Sequence, residues 1–201
     1  MHWNEAKRVL RYLIWTRNHV LRYDADAPNS ELTTRLVHGY SDSDWARDHD
    51  TRWSTAGYIF LMAGGAVSWS SKIQSAVTLS STEAEYIAAS RATQEAYWLC
   101  KLLKELGHEQ KSPTQLLCDN QGALALIKNP RNHSRTKHIA FRYHHIREAA
   151  ENGDIKIEYC PTEEMTANLM TKSLGRIKHE RFVRKLGMDI RSSGSVGKDG
   201  S

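Results

Sequence analysis

Four short stretches of this 201-residue chain carry the side chains best suited to chemistry: GYSDSDW around Asp42, SSTEAEY around Glu85, LLCDNQ around Asp119 and TANLMTK around Asn168. Three of them centre on a carboxylate. Hard divalent cations take converging oxygen ligands, and carboxylates presented by a strand, a helix start and a strand end could supply them. Their order argues for phosphodiester chemistry assisted by two cations.

Each carboxylate also has a purely structural explanation. Asp42 and Asp44 lie two residues apart, so on a strand they share a face and spacing does not choose between them. An aspartate at a strand end is also a common turn residue. Thr82 and Glu85 have the T-x-x-E spacing of a capping box, as do Ser80 and Glu83, and without further information capping is the better reading of Glu85. Asp119, followed by Asn120, stands where a helix N-cap would, yet the end of a strand in an α/β sheet is also where ligands gather.

The elements that must position these groups follow from hydrophobic periodicity. Residues 2–17 place Trp3, Ala6, Leu10, Leu13 and Ile14 at helical steps, with Lys7, Arg8, Arg11 and Arg17 largely elsewhere. This amphipathic helix has no room for a cap, so the chain is expected to be cut from a longer polypeptide. DADAPNS at 24–30 is turn chemistry and marks the expected boundary. Leu36 to Tyr40 alternate as a strand leading into Asp42. GYIFLM from Gly57, the turn Ala63-Gly64-Gly65 and AVSWSS predict a β-hairpin whose loop glycines supply positive φ. A long helix is expected from about 81 to 106, with Ala84, Ile87, Ala88, Leu99, Leu102, Leu103 and Leu106 as its apolar stripe and Gly107 as its stop. A strand ending at Asp119, a helix over 121–127, a basic helix over 134–152, a strand over 155–160 and helical patterns around Ala167 and Arg181 complete the order. Residues 191–201 are Ser/Gly-rich and expected to be disordered. Strands first, then helices mixed with strands, predict an α/β sandwich on a mixed five-stranded sheet.

Length and an apolar content of 40% allow one domain with appended ends. A formal charge of +5, with ten histidines in reserve below neutral pH, favours a polyanionic partner. Cys100, Cys118 and Cys160 lack CxxC spacing and are expected to be buried reduced thiols, which argues against a disulfide framework or a zinc ribbon. No stretch approaches the roughly 18 apolar residues of a membrane span, and no signal peptide is apparent, so a soluble intracellular protein is expected. On the basic helix, Arg135, His138, Arg142 and His145 recur at three- and four-residue steps, while Ile139, Tyr143, Ile146 and Ala150 line another face. One side then suits a core and the other phosphates, with a merely solvated charged face as the alternative. His133, His138, His144 and His145 fit no common zinc spacing. Trp45, Trp53, Trp69 and Trp98 fall within apolar patterns and are expected to pack.

The motifs taken together carry a resemblance. KRVLRYL (7–13), GYSDSDWARD (39–48), RWSTAGYIF (52–60), VSWSSKIQ (67–74), LSSTEAEYIA (79–88), CDNQGAL (118–124) and RTKHIAFRYHHIRE (135–148) stand in one order. Over residues 3–188 the chain resembles the ribonuclease H domain of copia-type LTR retrotransposon polyproteins. The resemblance implies a ribonuclease H-like fold in which Asp42, rather than Asp44, together with Glu85 and Asp119 binds two Mg²⁺ ions, Mn²⁺ serving as a substitute, and Glu83 is left as a capping or solvent-facing residue. It implies that residues 1–30 are a helix and connector from the reverse transcriptase of the same polyprotein, 31–190 the domain and 191–201 a tail. The implied activity is endonucleolytic cleavage of the RNA strand of RNA–DNA hybrids by two-metal hydrolysis during reverse transcription, in cytoplasmic retrotransposon particles and away from membranes. Ser80, Ser81, Asn120 and Gln121, with the basic helix, are the candidate contacts to the hybrid.

Asn168 is the departure, because the family carries an aspartate there as its fourth catalytic, metal-binding side chain. Asparagine offers only a neutral carbonyl oxygen, and a lower charge count weakens cation sites. Natural decay, a tolerated neutral ligand and a deliberate Asp-to-Asn exchange all fit. The rival function is therefore a hybrid-binding module with weakened or absent cleavage. An integrase or transposase core is disfavoured, since there the glutamate follows the second aspartate, whereas Glu85 precedes Asp119. The loop from Cys160 to Glu164 lacks the histidine many ribonucleases H place before their last helix, which leaves proton delivery to water or another group.

Overall fold

From the N-terminus the chain runs through α1 (His2–Trp15), β1 (His19–Leu21), β2 (His38–Asp44), β3 (Thr55–Met62), β4 (Gly65–Ile73), α2 (Ser81–Glu105) and β5 (Thr114–Cys118). It continues through α3 (Gln121–Lys128), α4 (Ala140–Glu151), β6 (Ile155–Tyr159), α5 (Asn168–Thr171), α6 (Arg176–Lys185) and β7 (Met188–Ile190). This computed structural model describes residues 2–23, 36–45, 53–75, 77–128 and 140–190. Strands β2 to β6 form the expected mixed sheet in the order β4-β3-β2-β5-β6. The β2–β3 and β3–β4 pairs are antiparallel, and β5 is parallel to both β2 and β6.

The centre of the sheet is unusual in its chemistry. β2 reads HGYSDSD, yet Gly39, Ser41, Asp42 and Ser43 are buried. Buried polar groups cost free energy unless they are partnered, so a polar central strand demands a specific set of neighbours. Gly39 is required by packing, because a Cβ there would lie 2.4 Å from the Phe60 ring. One face of the sheet is covered by α2, whose buried Ala84, Ala88, Ala89, Ala92 and Ala96 let the helix approach closely. Phe60, Tyr86, Leu116, Ile146 and Ile157 complete that core. Beyond Leu99, half-buried Leu103 still packs against it, but Leu102 and Leu106 are exposed rather than part of a buried stripe.

Several expectations need correction. β1 and β7 have no counterpart among the expected elements; they pair antiparallel as a separate ribbon, Val20 opposite Asp189, with Arg22 bridging to Asp189 at 3.0 Å. Three-residue strands are too short for a period-2 pattern to register. The β3–β4 turn uses positive φ at Ala63 (52°) and Gly64 (76°), not at two glycines. Trp45, Trp53, Trp69 and Trp98 are exposed; Trp69 and Trp98 take the solvated face of β4 and α2, whereas Trp45 and Trp53 lie just outside the strands. Cys118 and Cys160 are buried free thiols, but Cys100 is only half-buried. The helical pattern of α1 is present, but its apolar residues, among them Trp3, Leu10, Leu13 and Ile14, are exposed. Among the described residues, no helix is long and apolar enough to cross a membrane.

Candidate functional site

Two neighbouring parallel strands and one helix start deliver the three carboxylates. Ser41 of β2 is opposite Cys118 of β5, so Asp42 on β2 and Asp119 just past the end of β5 emerge side by side. Glu85 comes from the first turns of α2, packed across the same strands. One carboxylate oxygen from each of the three lies within 4.8 Å of the others. Asp44, which spacing alone left as Asp42's equal, is not in this group.

The capping alternatives resolve the same way. Ser80 Oγ accepts the Glu83 N–H at 3.2 Å and the Glu83 carboxylate accepts the Leu79 N–H at 2.7 Å. Glu83 is thus the capping acid, which frees Glu85 for the interior. At α3 the cap is Asn120, whose Oδ1 accepts the Ala123 N–H at 2.9 Å, and Asp119 is free of that task.

The carboxylates are held unequally. Asp42, fully buried, accepts the Lys172 ammonium on Oδ1 at 2.8 Å and the Thr171 hydroxyl on Oδ2. Lys172 also donates to Asn168 Oδ1 at 2.7 Å, and the Asn168 amide donates to the Thr162 carbonyl at 3.1 Å. The Thr162 hydroxyl closes the chain of contacts on Asp119 at 2.9 Å. Glu85 is placed by the Ser43 N–H, which donates to Oε1 at 3.1 Å, while Oε2 is buried with no hydrogen-bond partner. Gln74 steadies that corner, donating to Ser43 Oγ at 3.1 Å and to the Ala84 carbonyl at 2.9 Å.

Burial, followed by the charges of Asp42 and Asp119, pushes the Glu85 pKa up to about 9. Burial also raises Asp42, with Lys172 and Thr171 pulling the other way and Asp119 adding to the rise. For Lys172 burial opposes the charge, but Asp42, then Asp119 and Glu85, outweigh it and raise its pKa. Buried Asp42 and Glu85, crowded beside Asp119, are costly to ionise without added positive charge. The unpartnered Glu85 Oε2, the oxygen-only donor set and the spacing within 4.8 Å all fit a hard divalent cation.

Sequence reasoning missed Lys172, Thr171, Thr162 and Gln74. Thr171 and Lys172 stand in the TANLMTK stretch, where the single turn of α5 sets Lys172 over Asn168 at i, i+4. Gly57, opposite Asp42 on β3, makes room for them: a Cβ there would lie 2.6 Å from Met170 Cβ and 2.7 Å from Thr171 Cγ2. Among the proposed substrate contacts, Ser80, Ser81, Asn120 and Gln121 sit at the starts of α2 and α3, which adjoin where a Gly122 Cβ would come within 2.9 Å of Thr82 Oγ1. His145 is half-buried, its ring edge-on to Tyr97 with centroids 5.4 Å apart. Arg135 and His138 lie outside the described residues, and Arg142 is described only as part of the α4 backbone.

A mixed sheet of this order, covered on one face by a long helix whose first turns meet the ends of two parallel strands, is the ribonuclease H fold. LC11-RNase H1, isolated from compost by a metagenomic approach, superposes with a TM-score of 0.52 at 16% identity, over 68% of this chain and 93% of that one. The foamy viral protease-reverse transcriptase, solved in complex with an RNA/DNA hybrid, gives 0.51 at 14% identity, over 76% of this chain and 21% of that one. The chain is homologous to a segment of the retrovirus-related Pol polyproteins of plant transposons. It is 43% identical over 187 residues, 93% of its length, to those of transposon RE2 from Arabidopsis thaliana and transposon TNT 1-94 from Nicotiana tabacum. It spans only 12% and 14% of these relatives. No protein-family model matches it.

Proposed function

We propose that the chain is the ribonuclease H segment of a copia-type retrotransposon polyprotein, hydrolysing the RNA strand of RNA–DNA hybrids with the help of Mg²⁺ or Mn²⁺. The observation that carries this reading is the meeting of Asp42, Glu85 and Asp119 on the ribonuclease H fold, with a buried Glu85 oxygen left without a partner. Divalent cation charge held by these carboxylates would activate water and stabilise a departing phosphodiester oxygen. The protein's own part is positional. Ser43 and Gln74 fix Glu85, and Thr162 fixes Asp119, so the acids are aligned before substrate arrives. The adjoining starts of α2 and α3, with Ser80, Ser81, Asn120 and Gln121, together with Arg135, His138, Arg142 and His145, would grip the hybrid. The remainder of the polyprotein, reverse transcriptase included, would be the natural partner, and residues 1–30 the connection to it, with the assembly acting in cytoplasmic particles.

A second reading has a specific observation behind it: Asn168 is neutral and already bonded to Lys172, so a hybrid-binding module with little cleavage remains the alternative. The two separate in a single assay on an RNA–DNA hybrid across a Mg²⁺ titration. The proposal expects RNA-strand cleavage that EDTA abolishes and that Asp119→Asn lowers on the order of a hundredfold or more. Salt-sensitive hybrid binding with the RNA intact at every cation concentration would establish the module instead.

A further inference from the structure

We propose that Lys172 is a built-in counter-cation, occupying the Asp42–Asn168 side of the acidic cluster so that this chain takes up one divalent ion at Glu85 and Asp119 rather than two. The inference rests on the cation-dependent reading above and refines it.

Geometry comes first. The Lys172 ammonium sits 2.8 Å from Asp42 Oδ1 and 2.7 Å from Asn168 Oδ1, between the two side-chain oxygens on that side of the cluster. It is not a surface lysine straying inward, because its side chain is 30% exposed and its position is fixed by the α5 turn that Gly57 admits against the sheet. Asp42 offers no spare oxygen on this side, its other one being bonded to Thr171. The vacant donor is at the opposite corner, the buried Glu85 Oε2.

Charge points the same way. Three carboxylates and one ammonium leave a formal charge of −2, which a single divalent ion neutralises. Two such ions would leave the cluster at +2 before any phosphate arrived, and excess charge is unfavourable beside the buried Asp42 and Glu85. An aspartate at position 168 would add the negative charge a second ion needs. Asn168 removes that charge and gives the lysine a neutral acceptor, so the asparagine and the lysine act as one substitution of charge.

The test measures cation binding rather than cleavage. Mn²⁺ is titrated into the EDTA-treated, dialysed chain, free Mn²⁺ is followed by electron paramagnetic resonance, and heat released is measured by calorimetry. The wild type is expected to bind one ion. Lys172→Met is expected to bind it more tightly, on the order of tenfold or more, and to gain a larger rise in melting temperature from added Mn²⁺. Asn168→Asp combined with Lys172→Met is expected to bind two ions. If removing the buried ammonium unfolds the metal-free protein, Lys172→Gln keeps a hydrogen-bond donor without the charge and carries the same expectation. A folded Lys172 variant whose Mn²⁺ affinity is unchanged or weaker, or a wild type that binds two ions, overturns the role assigned to Lys172 and leaves the nuclease reading standing. A failure of every variant to bind Mn²⁺ overturns the cation-dependent reading itself.

Discussion

The two sides of the acidic cluster lie a few ångströms apart and are built on opposite principles. At Asp42 the fold completes its own electrostatics: both carboxylate oxygens are bonded, one to a hydroxyl and one to an ammonium, from an α5 turn that glycine on the neighbouring strand lets in. At Glu85 the fold supplies a single backbone N–H and leaves the second oxygen bare in the interior. On the first side each oxygen has a donor, although burial still raises the Asp42 pKa. The second holds a group that is stable only when protonated or when a cation arrives, and sites that bind something are where such unmet demands are found. The difference separates residues that hold the cluster together from residues that hold it open.

The largest effect of breaking this asymmetry should be in pH dependence. Glu85 has a folded-state pKa of about 9 against an ordinary value of 4.5, so between those values the folded protein keeps a proton that the unfolded chain has lost. More protons bound in the native state means that stability falls as pH rises through this window, by on the order of 1 kcal/mol per pH unit for one group. Asp42, also raised, adds to the fall. Denaturant unfolding of EDTA-treated protein at pH 5, 6.5 and 8 should show this decline, and Glu85→Gln should flatten it and be the more stable protein at pH 8. A wild type equally stable across the range would show that the bare oxygen carries no such penalty.

The opposite side answers to a different substitution. Thr171→Val keeps the shape of the side chain but removes the hydroxyl that donates to buried Asp42. Losing a hydrogen bond to a charged, buried acceptor costs about 2 kcal/mol, seen as a lower urea midpoint at unchanged slope. Mn²⁺ affinity should move far less than stability, since the open corner at Glu85 is untouched. An affinity loss as large as the stability loss would mean that the two sides are not separable.

The same asymmetry decides what was legible in the sequence. Asp42, Glu85 and Asp119 stand in dense local motifs, and their convergence follows from a strand, a strand and a helix start that periodicity could place. Lys172 and Thr171 could not be found that way, because their partner Asp42 is 130 residues distant for the one and 129 for the other, and a four-residue helix gives no periodic signal. β1 and β7 failed to register for a related reason: three residues each, paired across nearly the whole chain. Trp69 and Trp98 show the converse error, since an aromatic residue in an apolar stretch says nothing about which face it takes until the sheet or helix has a partner. At the start of α2 the residues supported two capping boxes equally, and only the fold distinguishes Glu83, bonded to the Leu79 N–H, from Glu85, bonded to the Ser43 N–H.

That last distinction yields the smallest and most discriminating expected effect. Ser80→Ala removes the hydroxyl that accepts the Glu83 N–H and should cost about 1 kcal/mol, the ordinary worth of a helix N-cap. Thr82→Ala, at the equivalent place in the box that does not form, should cost less. If Glu85 were held by the cap, Ser80→Ala would also loosen cation binding. The structure instead anchors Glu85 to β2 through Ser43, and Ser43 to α2 through Gln74 and the Ala84 carbonyl. Mn²⁺ affinity should therefore survive Ser80→Ala and fall in Gln74→Ala, whose side chain lies outside the cap altogether. A reversal of those two results would mean that the helix start, and not the strand beside it, keeps the bare carboxylate in place.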